Sequence, residues 1–225
     1  MRYIRSQIIA AALCFAVLSA GCAAKQDVEV PPDINSTVEG GEKGCGTEQI
    51  LQLLGDYGAF RRGYIDCRTV RDNIDKADSV TVESIRGAGA EDEGQPYDEY
   101  YYRVTGDITT EAEFLEAAEG LATEDHIENE IMPVFNSNYT VSDGNLYLRE
   151  GAGYDGTTLG VEHVYLDSAE ETSTDTLSLT LTATGGDVNE EFTIKIDCGA
   201  GTLKIDECAP FAADCLADFQ VESRL

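Results

Sequence analysis

Tryptophan is absent from this 225-residue chain, and histidine and methionine each occur only twice. Two imidazoles, His126 and His163, leave little material for a histidine-based catalytic cluster. No G-x-S-x-G elbow, H-E-x-x-H pair, P-loop or G-x-G-x-x-G is present, which removes the usual hydrolase, metalloprotease and nucleotide signatures. Basic residues are scarce too: 15 Lys+Arg stand against 43 Asp+Glu, a net charge of −28. The densest basic site is Arg61-Arg62, so the Lys/Arg clusters needed for phosphate backbones or anionic lipid surfaces are missing. There is no C-x-x-C, and Asp143-Gly-Asn145 lacks the further ligands and closing Glu of a calcium loop. The expectation is no catalytic, metal or cofactor-binding residue and no cofactor, with loose calcium association of acidic loops as an alternative.

The one long apolar run lies at the start. Arg2 and Arg5 precede Ile8–Leu18, an uncharged stretch of about eleven residues, which suits a signal-peptide core and is too short to span about 30 Å of hydrocarbon. Ser19-Ala20-Gly21-Cys22 follows and resembles the bacterial lipobox, in which cleavage precedes a cysteine whose sulfur takes a diacylglyceryl group. The expectation is a leader over 1–21, lipidation of Cys22, and a chain held at the extracytoplasmic face of the cell membrane. Each buried methylene of an acyl chain contributes about 0.8 kcal/mol to such anchoring. Removing Arg2 and Arg5 with the leader leaves 13 basic against 43 acidic residues.

Residues 22–44 contain two prolines, several acids and no apolar period, and read as a flexible acidic tether with a reach of roughly 25 Å. Residues 45–225 read as one α+β domain. Thr47 is placed to cap a helix carrying Ile50, Leu51, Leu54 and Tyr57, and a helical or irregular stretch continues to about Asp75. Ser79–Ile85 alternates as a strand, and Gly87–Pro96 is a polar loop. In the next strand Tyr100, Tyr102 and Val104 are expected inward, leaving Tyr101 and Arg103 toward water. Thr110-x-x-Glu113 is a capping box, and Thr123 opens a second short helix with Ile127 and Ile131, stopped at Pro133. Asp143-Gly144 signals a hairpin, and alternating strands follow at Val161–Leu166, Leu177–Ala183, Phe192–Asp197 and Thr202–Asp206. Helices first and a meander afterwards predict helices packed on one face of a curved antiparallel sheet.

An exported chain can form disulfides. With Cys22 consumed by lipid, Cys45, Cys67, Cys198, Cys208 and Cys215 remain. If Cys198 sits at a hairpin turn and Cys208 at the far end of the partner strand, they lie on the order of 20 Å apart, too far for a bridge. Cys208–Cys215 and Cys45–Cys67 are the pairings expected, with Cys198 left over.

From Tyr100 to Glu207 the order of motifs is YYYRVTG, a threonine-capped helix, a second short helix, Tyr139-Thr-Val-Ser-Asp143-Gly144-Asn-Leu146-Tyr147-Leu148, the loop GAGYDGTTLG, and a closing Thr202-Leu-Lys204-Ile205-Asp206. This order resembles cell-surface proteins of Firmicutes related to the IseA-type DL-endopeptidase inhibitor family. More broadly it is similar to NTF2-like and cystatin-like domains, though Leu203 stands where that pattern usually has Trp. The resemblance implies an NTF2/cystatin-like fold and a non-enzymatic role, occlusion of the cleft of NlpC/P60-type peptidoglycan hydrolases.

Three functions are therefore carried forward. The first is a membrane-tethered binding module that contacts an envelope protein or cell-wall component and inhibits a peptidoglycan hydrolase, with no nucleic-acid partner. The second is an NTF2-like pocket enzyme or small-ligand binder around His163, with Asp167 or Asp107 as the carboxylate. The third is a passive acidic structural lipoprotein. His126, in an acidic helix start, is expected to be solvated. Tyr97 or Tyr101 could form a recognition surface.

Overall fold

The computed structural model describes residues 45–87, 89, 92–153 and 160–225. Cys22, the leader, the tether and most of the GAGYDGTTLG loop lie outside the described residues. Helix α1 spans Thr47–Phe60 and buries Ile50, Leu53, Leu54 and Tyr57 on one stripe. Its N-cap is Gly46 rather than Thr47, and Gln49 Oε1 accepts from the Gly46 N–H at 3.2 Å. The helix then widens into a π-turn, Arg61–Ile65, and a short 3-10 turn at Val70–Asp72 precedes strand β1, Ile74–Ile85. Strand β2 is Pro96–Val104.

Helix α2, Glu111–Glu119, opens on the capping box: Thr110 accepts from the Glu113 N–H while the Glu113 carboxylate accepts from the Thr110 N–H. Thr123 caps α3, Glu124–His126, which passes through a second π-turn, Ile127–Ile131, into α4, Met132–Asn138. Pro133 therefore does not stop the helix. The Met132 N–H reaches back five residues to Ile127, and this wider turn absorbs the donor that proline lacks.

The α+β class holds. The strands form two sheets, not one: four strands in the order β1-β2-β4-β3, and five in the order β8-β7-β6-β5-β9. Here β3 is Tyr139–Ser142, β4 Asn145–Arg149, β5 His163–Ser173, β6 Thr176–Gly185, β7 Val188–Asp197, β8 Lys204–Cys208 and β9 Val221–Ser223. Each sheet is assembled chiefly from neighbours in sequence. The hairpin turn between β3 and β4 has Asp143 and Gly144 at φ 49° and 77°, the left-handed pair that a two-residue turn requires.

In β6 the alternation is strict: Leu177, Leu179, Leu181 and Ala183 are buried, and Ser178, Thr180 and Thr182 between them face the other way. Burying such leucines contributes roughly 1.5–3 kcal/mol each. From the edge strand β8 the chain crosses to the opposite edge through α5, Pro210–Asp218, and β9 then runs parallel to β5. Helix α5 packs against α1, and α1 also packs against β8 and β9. At the α1–α5 crossing Gly58 meets the backbone of Leu216. An aromatic run (Phe60, Phe114, Phe135, Tyr139) continues the core toward the first sheet, with ring centroids 4.5–5.2 Å apart along it.

The tyrosine assignment of β2 is reversed at two positions. Tyr101 is 6% exposed and Tyr100 is 48% exposed. Only Tyr101–Arg103 pairs with β4, so toward Pro96 the strand is paired with β1 alone, and Tyr100 lies beyond the part that β4 covers. On the opposite face Glu99 accepts from Ser84, Tyr97 and Tyr101 and pairs with Arg149 at 3.6 Å, which closes over Tyr101.

Candidate functional site

The polar stripe Glu48, Gln52, Asp56 recurs every four residues on α1, with Gln49 and the buried Leu53 beside it. Gln52 donates to both oxygens of Asp56 at 2.8 and 2.9 Å. Across from this stripe lie Gly120 and Leu121 at the end of α2 and the turn after β7, Cys198 to Leu203. Together they enclose a cleft of about 620 Å³, within the 300–1,000 Å³ typical of ligand sites. Leu53, Leu121 and Leu203 supply its apolar wall, while carboxylates and amides supply the rim. The site includes Cys45, the first of the described residues.

Both histidines are accounted for by neighbours, in different ways. His126 is buried at 3% exposure, not solvated. The Tyr57 hydroxyl lies 2.8 Å from its Nε2, and the backbone of Asp206 stands beside the ring. Burial holds the imidazole below its ordinary pKa and pushes the Tyr57 phenol up. His163 stands exposed on β5, stacked on Tyr165 and 3.5 Å from Glu222 of β9. The proposed carboxylate partner Asp167 instead accepts from Thr182 at 2.6 Å and pairs with Arg224 at 3.4 Å. The cleft beside α1 contains no histidine.

A second polar seam joins the first π-turn to α5. Arg61 donates to Asp214 at 3.0 Å, and Arg68 donates to Asp218 at 2.6 Å. Asp66 is 3% exposed, and burial raises its carboxyl above the ordinary range. Its Oδ2 and the Arg61 Nε have no hydrogen-bond partner, although the Arg61 Nε stands 3.9 Å from Asp66 Oδ1, and both residues line a cavity of about 380 Å³. Among the described residues no group of three or more His, Cys, Asp or Glu is arranged to hold a metal ion.

No disulfide joins the described cysteines. The expected Cys45–Cys67 pair is excluded by helix geometry: the 14 residues of α1 alone run roughly 20 Å between them, against the 4.4–6.8 Å that a bridge allows. Cys67, at φ 60°, is enclosed by the Tyr64 and Ile65 carbonyls and the Tyr139 hydroxyl. Cys208 and Cys215 are not bridged either. Pro210 opens α5 two residues after Cys208, so the expected short loop is a helix, and burial pushes both thiols up to about 12. Cys198, expected to be left over, has its thiol in hydrogen-bonding contact with that of Cys45.

Sequence reasoning missed the cleft because its two walls are about 70 to 150 residues apart in the chain. The i, i+4 spacing of Glu48, Gln52 and Asp56 was the one local signal, and a solvated helix face gives the same pattern. No protein-family model matches this chain, and no curated protein matches it.

Proposed function

We propose that this chain is a lipid-tethered binding module of a bacterial envelope, held at the extracytoplasmic face by acylated Cys22, and that it acts by occupying a wall-hydrolase partner rather than by catalysis. The observation that carries this reading is the cleft beside α1. It has an apolar wall for contact area and a rim of Glu48, Asp56 and side-chain amides for a cationic group, and it contains no imidazole. An acidic rim on a chain of net charge −28 selects a partner that presents Lys, Arg or a free amine over an apolar segment.

The IseA-type inhibitor reading adds the identity of the partner, a peptidoglycan hydrolase of the NlpC/P60 type. Its support is the motif order from Tyr100 to Glu207, together with the meander β5–β8 that carries helices against it. The NTF2/cystatin-like description belongs to the same proposal and concerns that five-stranded sheet.

Two experiments test the proposal. Fractionation of cells producing wild type and Cys22→Ser is expected to leave the first in membranes and move the second to the soluble fraction. A Cys22→Ser protein that stays in membranes refutes the anchor. In a muropeptide-cleavage assay the added protein is expected to slow hydrolysis, and unchanged rates at excess protein across several hydrolases would sink the inhibitory reading.

A further inference from the structure

We propose that Cys45 and Cys198 are a disulfide site, which clamps the root of the tether onto the turn after β7 at the mouth of the cleft. The two thiols come together from opposite walls. Cys45 immediately precedes the N-cap Gly46 of α1, and Cys198 is the first residue after β7. Their side chains are in hydrogen-bonding contact, and both line the same cleft.

Cys198 is held firmly on its side. Its N–H donates to the Asp175 carbonyl at 2.8 Å, and the following Gly199 N–H donates to Asp197 Oδ1 at 2.8 Å. Cys45 lies just outside the first turn of α1, so it is not held by the hydrogen-bond ladder of the helix.

Access separates this pair from the other cysteines. Cys45 and Cys198 are part-exposed, whereas Cys67, Cys208 and Cys215 are buried. A small thiol–disulfide oxidant can therefore reach the former and not the latter. The step is a two-electron exchange. A thiolate of the pair attacks the oxidant's S–S bond to give a mixed disulfide, and the second thiolate displaces the oxidant's sulfur. One protein S–S bond forms, the oxidant's S–S bond breaks, and the two protons of the protein thiols end on the oxidant's sulfurs, which leave as thiols.

The bridge would close a loop of about 150 residues, a length at which the loss of unfolded-chain freedom is large. It would also fix the relative position of the two cleft walls. That the pair meets an oxidant in the cell rests on the proposed export; the geometry does not.

The test uses the full-length protein equilibrated in a glutathione redox buffer, quenched by alkylation and mapped by peptide mass spectrometry. The expected product links the Cys45 and Cys198 peptides, with Cys67, Cys208 and Cys215 alkylated only after denaturation. Oxidation is expected to raise Tm by roughly 5–15 °C. Cys45→Ser and Cys198→Ser should each abolish that rise, and Cys67→Ser should retain it. Recovery of both thiols alkylated, or a link from either to another cysteine, would overturn the proposal. A pair that closes in the buffer but is recovered reduced from native envelopes supports the site and shows that no oxidant reaches it in the cell.

Discussion

Replacing Gly58 with alanine sets two effects of opposite sign against each other on one helix. Gly58 lies inside α1, where alanine is favoured over glycine by roughly 1 kcal/mol. The added Cβ, however, would stand 2.0 Å from the Leu216 carbonyl oxygen and 2.7 Å from its carbon. Both are backbone atoms of α5, so no side-chain rotation relieves the overlap, and the helices must separate by about 1 Å or more. Overpacking costs typically 1–3 kcal/mol, and an overlap with two backbone atoms beside the buried Cys215 and Leu216 falls at the upper end, about 2–3 kcal/mol. The overlap wins, and Gly58→Ala should lose about 1–2 kcal/mol net. For a domain of this size that lowers Tm by roughly 2–8 °C. Gly55 on the same helix is the internal control. A Cβ there meets nothing within 4 Å, so Gly55→Ala should gain about 0.5–1 kcal/mol from propensity alone. Urea denaturation of the three proteins gives both numbers. A Gly58→Ala protein as stable as Gly55→Ala would refute the close crossing of α1 and α5.

The buried imidazole makes a pH prediction. His126 is neutral in the fold because burial holds its pKa below 6.5, while the unfolded chain takes up a proton near 6.5. The stability it contributes is present above that value and is lost as pH falls below it, at up to about 1.4 kcal/mol per unit. Wild type minus His126→Gln, measured by denaturation from pH 7 to pH 5, should therefore shrink toward acid, and a flat difference would show normal titration in the fold. Tyr101→Ala should destabilise by about 3 kcal/mol and Tyr100→Ala by under about 1, because only the first is enclosed; equal losses would contradict the exposure assigned to the hairpin.

Local chemistry made much of the secondary structure legible. The Thr110–Glu113 box, the Asp143-Gly144 turn and the alternation of Leu177 to Ala183 each act within a few residues, and each is found where the pattern placed it. What failed depended on partners far along the chain. The burial of Tyr101 rather than Tyr100 follows from where β4 stops pairing with β2, which the strand's own alternation does not encode. His126 looked solvated among acids, but Tyr57 lies 69 residues away and covers it. Helix α5 was legible in principle from Pro210 at its first turn, yet the cysteine at 215 suggested a short disulfide loop instead. The Cys45–Cys198 contact required knowing that α1 stretches between Cys45 and Cys67 and that the turn after β7 comes back to the start of α1.

The functional claim rests on the charged rim of the cleft, and equilibrium binding tests it directly. The full-length protein and its Glu48→Lys/Asp56→Lys variant, both exposed substitutions, are titrated with a purified NlpC/P60-type catalytic domain at two salt concentrations. The account predicts binding that weakens with salt and falls by at least about tenfold on charge reversal, with the variant still folded by circular dichroism. Equal affinity for the two proteins, or no binding by either, would contradict it.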